Sequence, residues 1–414
     1  MDIEIISIGT EILLGEITDT NSAFIARELT AVGHNIVYMT SVEDKKEKLI
    51  KALQTALTRS DIIITTGGLG PTADDITREV IAETTEHPLY EDQNLKNRIE
   101  TYFHEKGYNL THNNYRQAYL PEKSEPIKNN WGTAPGILLE MENNIIISLP
   151  GVPDEMKNML TSEVIPYLNK KIEKEIKSGC MRFFGIGEST LETELKDILE
   201  EDNTANLSLL AGRGEVRMRI TASGNSEEII SEKIKNIEDK IHNRVGKYIY
   251  GVNNQSLSEV VGELLRKQNL NLSTAESCTG GLIGNKITNI PGSSDYYVGG
   301  MVAYSNVIKK TKLGVSDDIL KNFGAVSQQT AEAMARGVKV NFNTDIGISV
   351  TGIAGPGGGT PSKPVGLVYI GLADDSQTEV YKLNLNGNRL ENKWRTSQHA
   401  LNYLRKYLLK IEED

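Results

Sequence analysis

Ser277 stands in the stretch Glu276-Ser277-Cys278-Thr279-Gly280-Gly281, directly after the apolar run NLSTAE (271–276) and before a helical pattern. A hydroxyl at a strand-to-helix junction meets unpaired backbone N–H groups and the positive end of the helix dipole, which together stabilise a developing oxyanion. The same position suits a plain N-cap, a role serine fills often. In VGGMVAYSNVIKK (298–310), Lys309 lies about a turn and a half beyond Tyr304. Burial lowers a lysine's proton affinity and makes it a general base, whereas in water it is one more charge in the cluster Lys309, Lys310, Lys312. Cys278 is the rival nucleophile, but no histidine lies near it in sequence to generate a thiolate, so it reads as a packing residue. The segment DIGISVTGIAGPGGGTPSKPVG (345–366) ends a buried-looking strand in a glycine-rich loop with Gly352, Gly355, Gly357 and Gly358. Backbone amides in such a loop wrap a phosphate or a carbonyl oxygen. Arg389 opens the last helix and is suited to hold a phosphate with two nitrogens.

A second set of candidates lies near the start of the chain. SIGTEILLGEITDTN (7–21) follows a first strand and carries Gly9, Glu11, Asp19 and Asn21; TTGGLGPTADDITREV (65–80) follows a third and carries Gly67, Gly68, Thr72, Asp74 and Asp75. In open parallel sheets ligands bind beyond the strands' C-terminal ends, where these two loops come together. Adjacent carboxylates beside a glycine loop suit a divalent cation. Thr72 with an acid three residues on equally suits a helix cap.

The elements that must position these groups alternate. The pattern predicts strands at 3–9, 35–42, 61–66 and 144–151 and helices at 21–33, 46–60 and 154–168, a parallel sheet covered by helices. A charged run, 169–179, then gives way to a small α+β pattern: a helix 189–200, strand-like LSLLAG and EVRMRITASG, and a helix 226–243. A capped helix from Ser256 restores α/β alternation. The expected fold is therefore α/β with three domains, 1–169, 170–250 and 251–414, two sheet domains flanking a small one. With 38% hydrophobic and 24% charged residues the chain has a globular composition, and no stretch approaches the length of a membrane span. The first residues, MDIEIISIGTE, lack the basic start of a signal peptide, so a cytoplasmic protein is expected. Two distant cysteines and six scattered histidines give no zinc pattern. Residues 1–250 carry a net charge of −13 and residues 251–414 one of +2, which argues against a general nucleic-acid surface.

The segments TAESCTGG, YSNVIK, TGIAGPGGG and GNR, in this order and spacing, closely resemble the nicotinamide-nucleotide amidohydrolase domain of the CinA (competence/damage-inducible) family over residues 256–410. The resemblance implies hydrolysis of the carboxamide of nicotinamide mononucleotide (NMN) to the acid and ammonia, in pyridine nucleotide salvage and without a cofactor. It implies Ser277 as nucleophile, Lys309 as base and Tyr304 beside them. Thr279, Gly280, Gly352, Gly355, Gly357, Gly358 and Arg389 would then contact substrate. Family members usually read Gly-Asp-Arg where this chain has Gly387-Asn388-Arg389, so the contact an aspartate would make is the one in question. The front loops, with PGVPDEM (150–156), resemble the family's molybdopterin-binding-like domain, in which some members hydrolyse ADP-ribose with a divalent metal. That resemblance implies Asp74 and Asp75 as metal groups, with Glu11, and Gly9, Asn21, Gly67, Gly68 and Thr72 around the nucleotide. The middle segment corresponds to the family's KH-like domain. It lacks the G-x-x-G loop with which KH folds grip RNA, Gly212-Arg213-Gly214 being the nearest candidate, so a spacer or dimer element is expected. The expected partners are small nucleotides and a second copy in a homodimer, with no nucleic acid and no membrane. The rival reading is a non-catalytic pterin-nucleotide-binding or competence-associated scaffold.

Overall fold

A computed structural model describes residues 1–171, 175–201, 205–212 and 214–410. Part of the charged run 169–179 and Arg213 of the glycine pair lie outside the described residues. The first strands are β1 (Asp2–Ile8), β2 (Asn35–Val42) and β3 (Ile62–Thr66). A short ribbon, β4 (Leu89–Glu91) with β5 (Tyr119–Pro121), precedes β6 (Glu125–Ile127), β7 (Gly136–Glu140) and β8 (Ile145–Leu149). The main sheet has the order β2-β1-β3-β8-β7-β6, with its first four strands parallel and β7 and β6 antiparallel. β1 reads as a nearly continuous apolar run because it is buried on both faces. Ile3 and Ile5 pack with Ile25 and Leu29 on one side, Ile6 and Ile8 with Leu49 and Leu53 on the other.

The helix expected at 154–168 is not regular. Pro153–Met159 and Ile165–Asn169 are α-helical, and Leu160–Val164 between them is a π turn. Pro166 has no N–H to offer the carbonyl four residues back, and a widened turn before it absorbs that loss. The helix expected at 189–200 likewise divides, into Glu188–Glu194 and Lys196–Glu201.

The small domain comprises β9 (Glu175–Phe183), these two helices, β10 (Ala205–Ala211), β11 (Val216–Gly224), the helix Glu227–Val245 and β12 (Ile249–Val252), in a sheet of order β10-β11-β9-β12. Val216, Met218, Ile220 and Ala222 of β11 are buried, and the residues between them are not, as a one-sided sheet requires.

The last domain opens with the helix Leu257–Gln268, whose start is closed by a reciprocal Ser256–Glu259 capping box. Its strands are β13 (Leu272–Glu276), β14 (Tyr297–Val302), β15 (Ile346–Gly352), β16 (Leu367–Ala373) and β17 (Thr378–Asn384), in the order β14-β13-β15-β16-β17. β14, β13 and β15 are parallel, and β16 and β17 run antiparallel. The chain leaves β13 to one side for β14 and returns on the other side as β15, so the strand order reverses between β13 and β15. Such a reversal opens a crevice beyond the strands' C-terminal ends.

The described residues gather into two compact units. One is Met1–Ser178 with Thr221–Ile234; the other joins Gly179–Ile220 to the chain from Lys235 onward, so most of the small domain packs with the last one. Among the described residues no helix is long and apolar enough to cross a membrane.

Candidate active sites

Ser277 immediately follows β13, Ala303 follows β14, and Gly352 closes β15, so three parallel strands deliver their ends to one crevice. The backbone N–H of Ser277 donates to Val350 O at 3.0 Å, which fixes the residue against β15. Lys309 rides on the helix Asn306–Leu313, whose first turn is capped by the Ser305 hydroxyl. Its side chain is 2% exposed, with Nζ 2.9 Å from Ser277 Oγ and 2.7 Å from Ala303 O. Burial pushes the ammonium below the ordinary lysine range, and the neighbouring Cys278 opposes this. An ammonium would donate to Ser277 Oγ, and a neutral amine would accept the hydroxyl proton. Lys309 is therefore a buried partner of the serine and not one of a solvated cluster.

The structure corrects one expectation about Ser277. It is not a helix cap: the helix Leu282–Thr288 begins five residues later, with Gly281 as its N-cap. Its first N–H groups are taken by Glu276, whose buried carboxylate accepts from Gly281 N at 3.0 Å, Ile283 N at 3.1 Å and Gly284 N at 2.8 Å. Gly280 and Gly281, at φ +64° and +92°, make the left-handed turn that lets the chain double back onto this carboxylate. The helix dipole thus serves Glu276; the Gly280 N–H of the turn donates to Ser277 O at 3.2 Å, and the side chains of Asn306, Lys309 and Arg389 line the cleft beside Ser277. Cys278 is buried, and burial pushes its thiol up to about 12, as befits packing.

A cleft of about 280 Å³ is lined by Ser277, Lys309, Tyr304, Asn306, Arg389 and the loop from Thr351 to Gly358, among others. It takes in Gly352, Gly355, Gly357 and Gly358, while Thr279 and Gly280 are not among its lining residues; the Thr279 hydroxyl is buried without a partner. None of the described lining residues is acidic, and Lys309 and Arg389 are cationic. Arg389 already donates to Gly355 O at 2.7 Å and to Tyr304 Oη at 3.0 Å, so it braces the glycine loop as well as facing the cleft. Asn388 accepts from Leu390 N and Glu391 N, both at 3.0 Å, which is the capping work an aspartate would do there. Two groups that sequence patterns do not single out complete the frame. Asn392, fully buried, holds Ala354 O at 3.1 Å and both polar groups of Gly387. Lys363 holds Phe323 O and Val326 O, tying down the wall formed by Ala325 and Val326.

In the N-terminal domain, Gly9, Gly67 and Gly151 follow β1, β3 and β8. Asn21 donates to Gly151 O at 2.8 Å and Thr66 Oγ1 at 3.1 Å, leaving its buried Oδ1 without a partner. A Cβ on Gly67 would strike Ile8 O at 2.3 Å and one on Gly68 would strike Thr77 Oγ1 at 2.2 Å, so the loop is built on close backbone approach. Glu11 stands beside Gly9, its carboxylate 2.7 Å from where a Cβ there would be. Thr72 donates from N and Oγ1 to Asp75, but no helix follows directly; the next begins at Thr77. The Asp74 carboxyl is exposed and held below the usual carboxylate range by the Thr72 hydrogen bond and a backbone N–H. Arg78 and Arg116, absent from the expected set, fasten the loop through the carbonyls of Leu69, Gly70, Thr72 and Asp75. Among the described residues no three His, Cys, Asp or Glu side chains are grouped to hold a metal ion.

Fold and site together define a three-domain α/β protein with glycine loops at the strand ends of its first sheet and, at those of its last, a cleft holding a buried serine–lysine pair. Residues 4–170 match the family described as "Probable molybdopterin binding domain", residues 178–251 the "Damage-inducible protein CinA KH domain" and residues 254–408 the "CinA C-terminal domain". A Halothermothrix orenii protein, named as competence-damage inducible, is 54% identical over 98% of both chains. A "CinA-like protein" of Dictyoglomus thermophilum is 46% identical over 99% of this chain and 100% of its own. Among solved structures, the competence/damage inducible protein CihA of Agrobacterium tumefaciens is 40% identical, covering 36% of this chain and 91% of its own, with a TM-score of 0.35. The chain belongs to the CinA family.

Proposed function

We propose that the C-terminal domain is a serine-dependent amidohydrolase that converts NMN and water to nicotinate mononucleotide and ammonia. The 2.9 Å approach of a buried, charge-disfavoured Lys309 to Ser277, at the floor of an open cleft, carries this reading. Neutral Lys309 takes the Ser277 proton as Oγ attacks the carboxamide carbon. Turn and glycine-loop amides face the resulting oxyanion. Lys309 then returns the proton to the departing nitrogen, and ammonia leaves an acyl ester on Oγ. Water, deprotonated by the same lysine, attacks that ester; Lys309 returns the proton to the departing Ser277 Oγ, and the released acid ionises to the carboxylate. Arg389 and the absence of acids among the described lining residues favour a substrate with a phosphate. Ammonia release from NMN tests the reading: Ser277→Ala should abolish it and Cys278→Ala should leave most of it. An active Ser277→Ala protein would refute the assignment.

The N-terminal crevice we read as an ADP-ribose pyrophosphatase site that uses a divalent cation. Asn21 with its free Oδ1 and the Gly67–Gly68 turn would face the nucleotide, and Asp74 would meet the metal. Asp75 is engaged with Thr72 and the described residues offer no complete cage, which suits Mg²⁺ held by one or two carboxylates plus substrate phosphates.

A further inference from the structure

The first turns of the final helix, Arg389–Leu409, carry the cleft's arginine and the Asn392 tie to its glycine loop. Lys393 Nζ lies 3.6 Å from where a Cβ on Gly280 would stand, beside the nucleophile turn. The next residue, Trp394, meets the small domain: a Cβ on Gly214, in the hairpin between β10 and β11, would lie 3.2 Å from its ring. Over that ring, 4.6 Å from its centre, stands Lys286 Nζ, which also donates to Gln398 Oε1 at 2.5 Å. Lys286 belongs to the helix Leu282–Thr288, the one whose start is held by Glu276 next to Ser277. One ammonium therefore joins the helix behind the nucleophile to the helix that carries Arg389, and Gly214 of the hairpin stands against the ring beneath it. Burial pushes Lys286 down to about 8, and Glu215 of the same hairpin opposes that shift. Glu215 is itself fixed by Arg182 at 3.0 Å, Arg217 at 3.1 Å and the Tyr250 hydroxyl.

Further contacts fasten the small domain to the final helix. Arg405, 2% exposed, donates to Ile249 O at 2.8 Å, and Phe184 meets His399 edge-on at 4.9 Å. Phe184 and Tyr250 belong to the same apolar core as Leu257, Val261 and Leu401.

We infer that the β10–β11 hairpin of the small domain positions the deamidase cleft through Trp394 and Lys286, so that this domain is a working part of the C-terminal site and not a spacer. The inference rests on the deamidase reading. Neither Trp394 nor Lys286 lines the cleft, so both are positioning residues, acting through the two helices they join.

Steady-state NMN deamidation by the full-length chain tests this, with a melting curve for each variant. Trp394→Leu should raise KM for NMN about tenfold while kcat stays within about threefold, because it loosens the helix carrying Arg389 and not the Ser277–Lys309 pair. Trp394→Phe, which keeps a ring under Lys286, should recover most of the loss. Glu215→Gln, entirely within the small domain, should shift KM in the same direction by about threefold. KM within about twofold of wild type in both Trp394→Leu and Glu215→Gln would overturn the inference, as would losses that merely follow the unfolded fraction. If Trp394→Leu does not fold, Glu215→Gln and Lys286→Gln decide it by the same criterion. A wild-type protein that binds NMN without turning it over refutes the deamidase reading alone, and the coupling is then read as the same shifts in the NMN Kd. One that does not bind NMN overturns both.

Discussion

Replacing Lys309 separates chemistry from folding, because a buried lysine whose charge is disfavoured affects the two in opposite directions. Lys309→Met removes the group that accepts the Ser277 proton across 2.9 Å. A positioned general base contributes about 10²- to 10⁴-fold, or about 3–5 kcal/mol of barrier. Lys309 also returns the proton to ammonia, so the loss should reach at least ~1000-fold, as when one member of a coupled catalytic unit is deleted. Lys309→Arg should be nearly as damaging, since arginine keeps the charge and does not give up its proton.

The effect on stability has the other sign. The unfolded chain holds the Lys309 proton up to the ordinary value near 10.5, whereas burial makes the folded chain release it at lower pH. Between those two values the unfolded state binds more protons, so this group's contribution to stability rises with pH and is least favourable below the lowered folded-state value. Methionine removes that penalty; its cost is the unpaired Ala303 carbonyl, about 1 kcal/mol. The variant should therefore melt close to wild type at pH 7 while being inactive. In the wild type, kcat/KM should climb with pH through the lowered Lys309 pKa, and in Lys309→Met the residual rate should lose that limb. Ammonia release across a pH series, paired with melting curves, reads both. Full activity in Lys309→Arg would refute the base assignment, and a collapse of melting temperature in step with activity would refute the linkage argument.

Glu276→Gln leaves at least one of three helix N–H groups without its acceptor, so it should cost about 1–2 kcal/mol in chemical denaturation and lower kcat more than it raises KM; unchanged stability would mean that the carboxylate does not hold the helix. Asp74→Asn with Asp75→Asn should abolish ADP-ribose hydrolysis while sparing deamidation, and chelator should have the same selective effect; hydrolysis indifferent to chelator would remove the metal. A fragment 251–414 should be less stable and less soluble than one spanning 179–414, because it bares the apolar surface under Phe184 and leaves the Arg405 guanidinium without the Ile249 carbonyl; equal melting temperatures would contradict the packing.

The inner parallel strands of the first sheet, β1, β3 and β8, were legible because strands buried on both faces announce themselves as continuous apolar runs, such as IEIISI and DIIITT. The antiparallel additions escaped notice. β16 and β17 follow the glycine loop without a tight-turn signature, and β6 is three residues long with a proline in its middle. The π turn at Leu160–Val164 was hidden because an apolar helical stripe looks the same on either side of a widened turn. Unit boundaries followed packing more than composition: the shift in charge near residue 250 marks a change of texture, yet Tyr250 and Phe184 share a core with Leu257.

At the site, residue types sufficed for the groups that react and failed for the groups that hold them. Serine and lysine carry a chemical label wherever they stand, so Ser277 and Lys309 could be singled out before their distance was known. Glu276 carries no such label. A glutamate closing an apolar strand looks like the first polar residue of a turn, and only the doubling back at Gly280 and Gly281 turns it into the cap of the next helix. The helix dipole does not serve Ser277, since a helix start satisfies the acceptor placed against it, and that acceptor is Glu276. The consequence is mechanistic. If the helix N-terminus is filled by a carboxylate, oxyanion stabilisation falls to backbone amides of the turn and loop and to side-chain donors that line the cleft, such as Asn306. Ser277→Ala and Lys309→Met should therefore leave NMN affinity largely intact, whereas a change that moves the backbone of the glycine loop, such as cutting the Asn392 bond to Ala354 O, should weaken both binding and turnover.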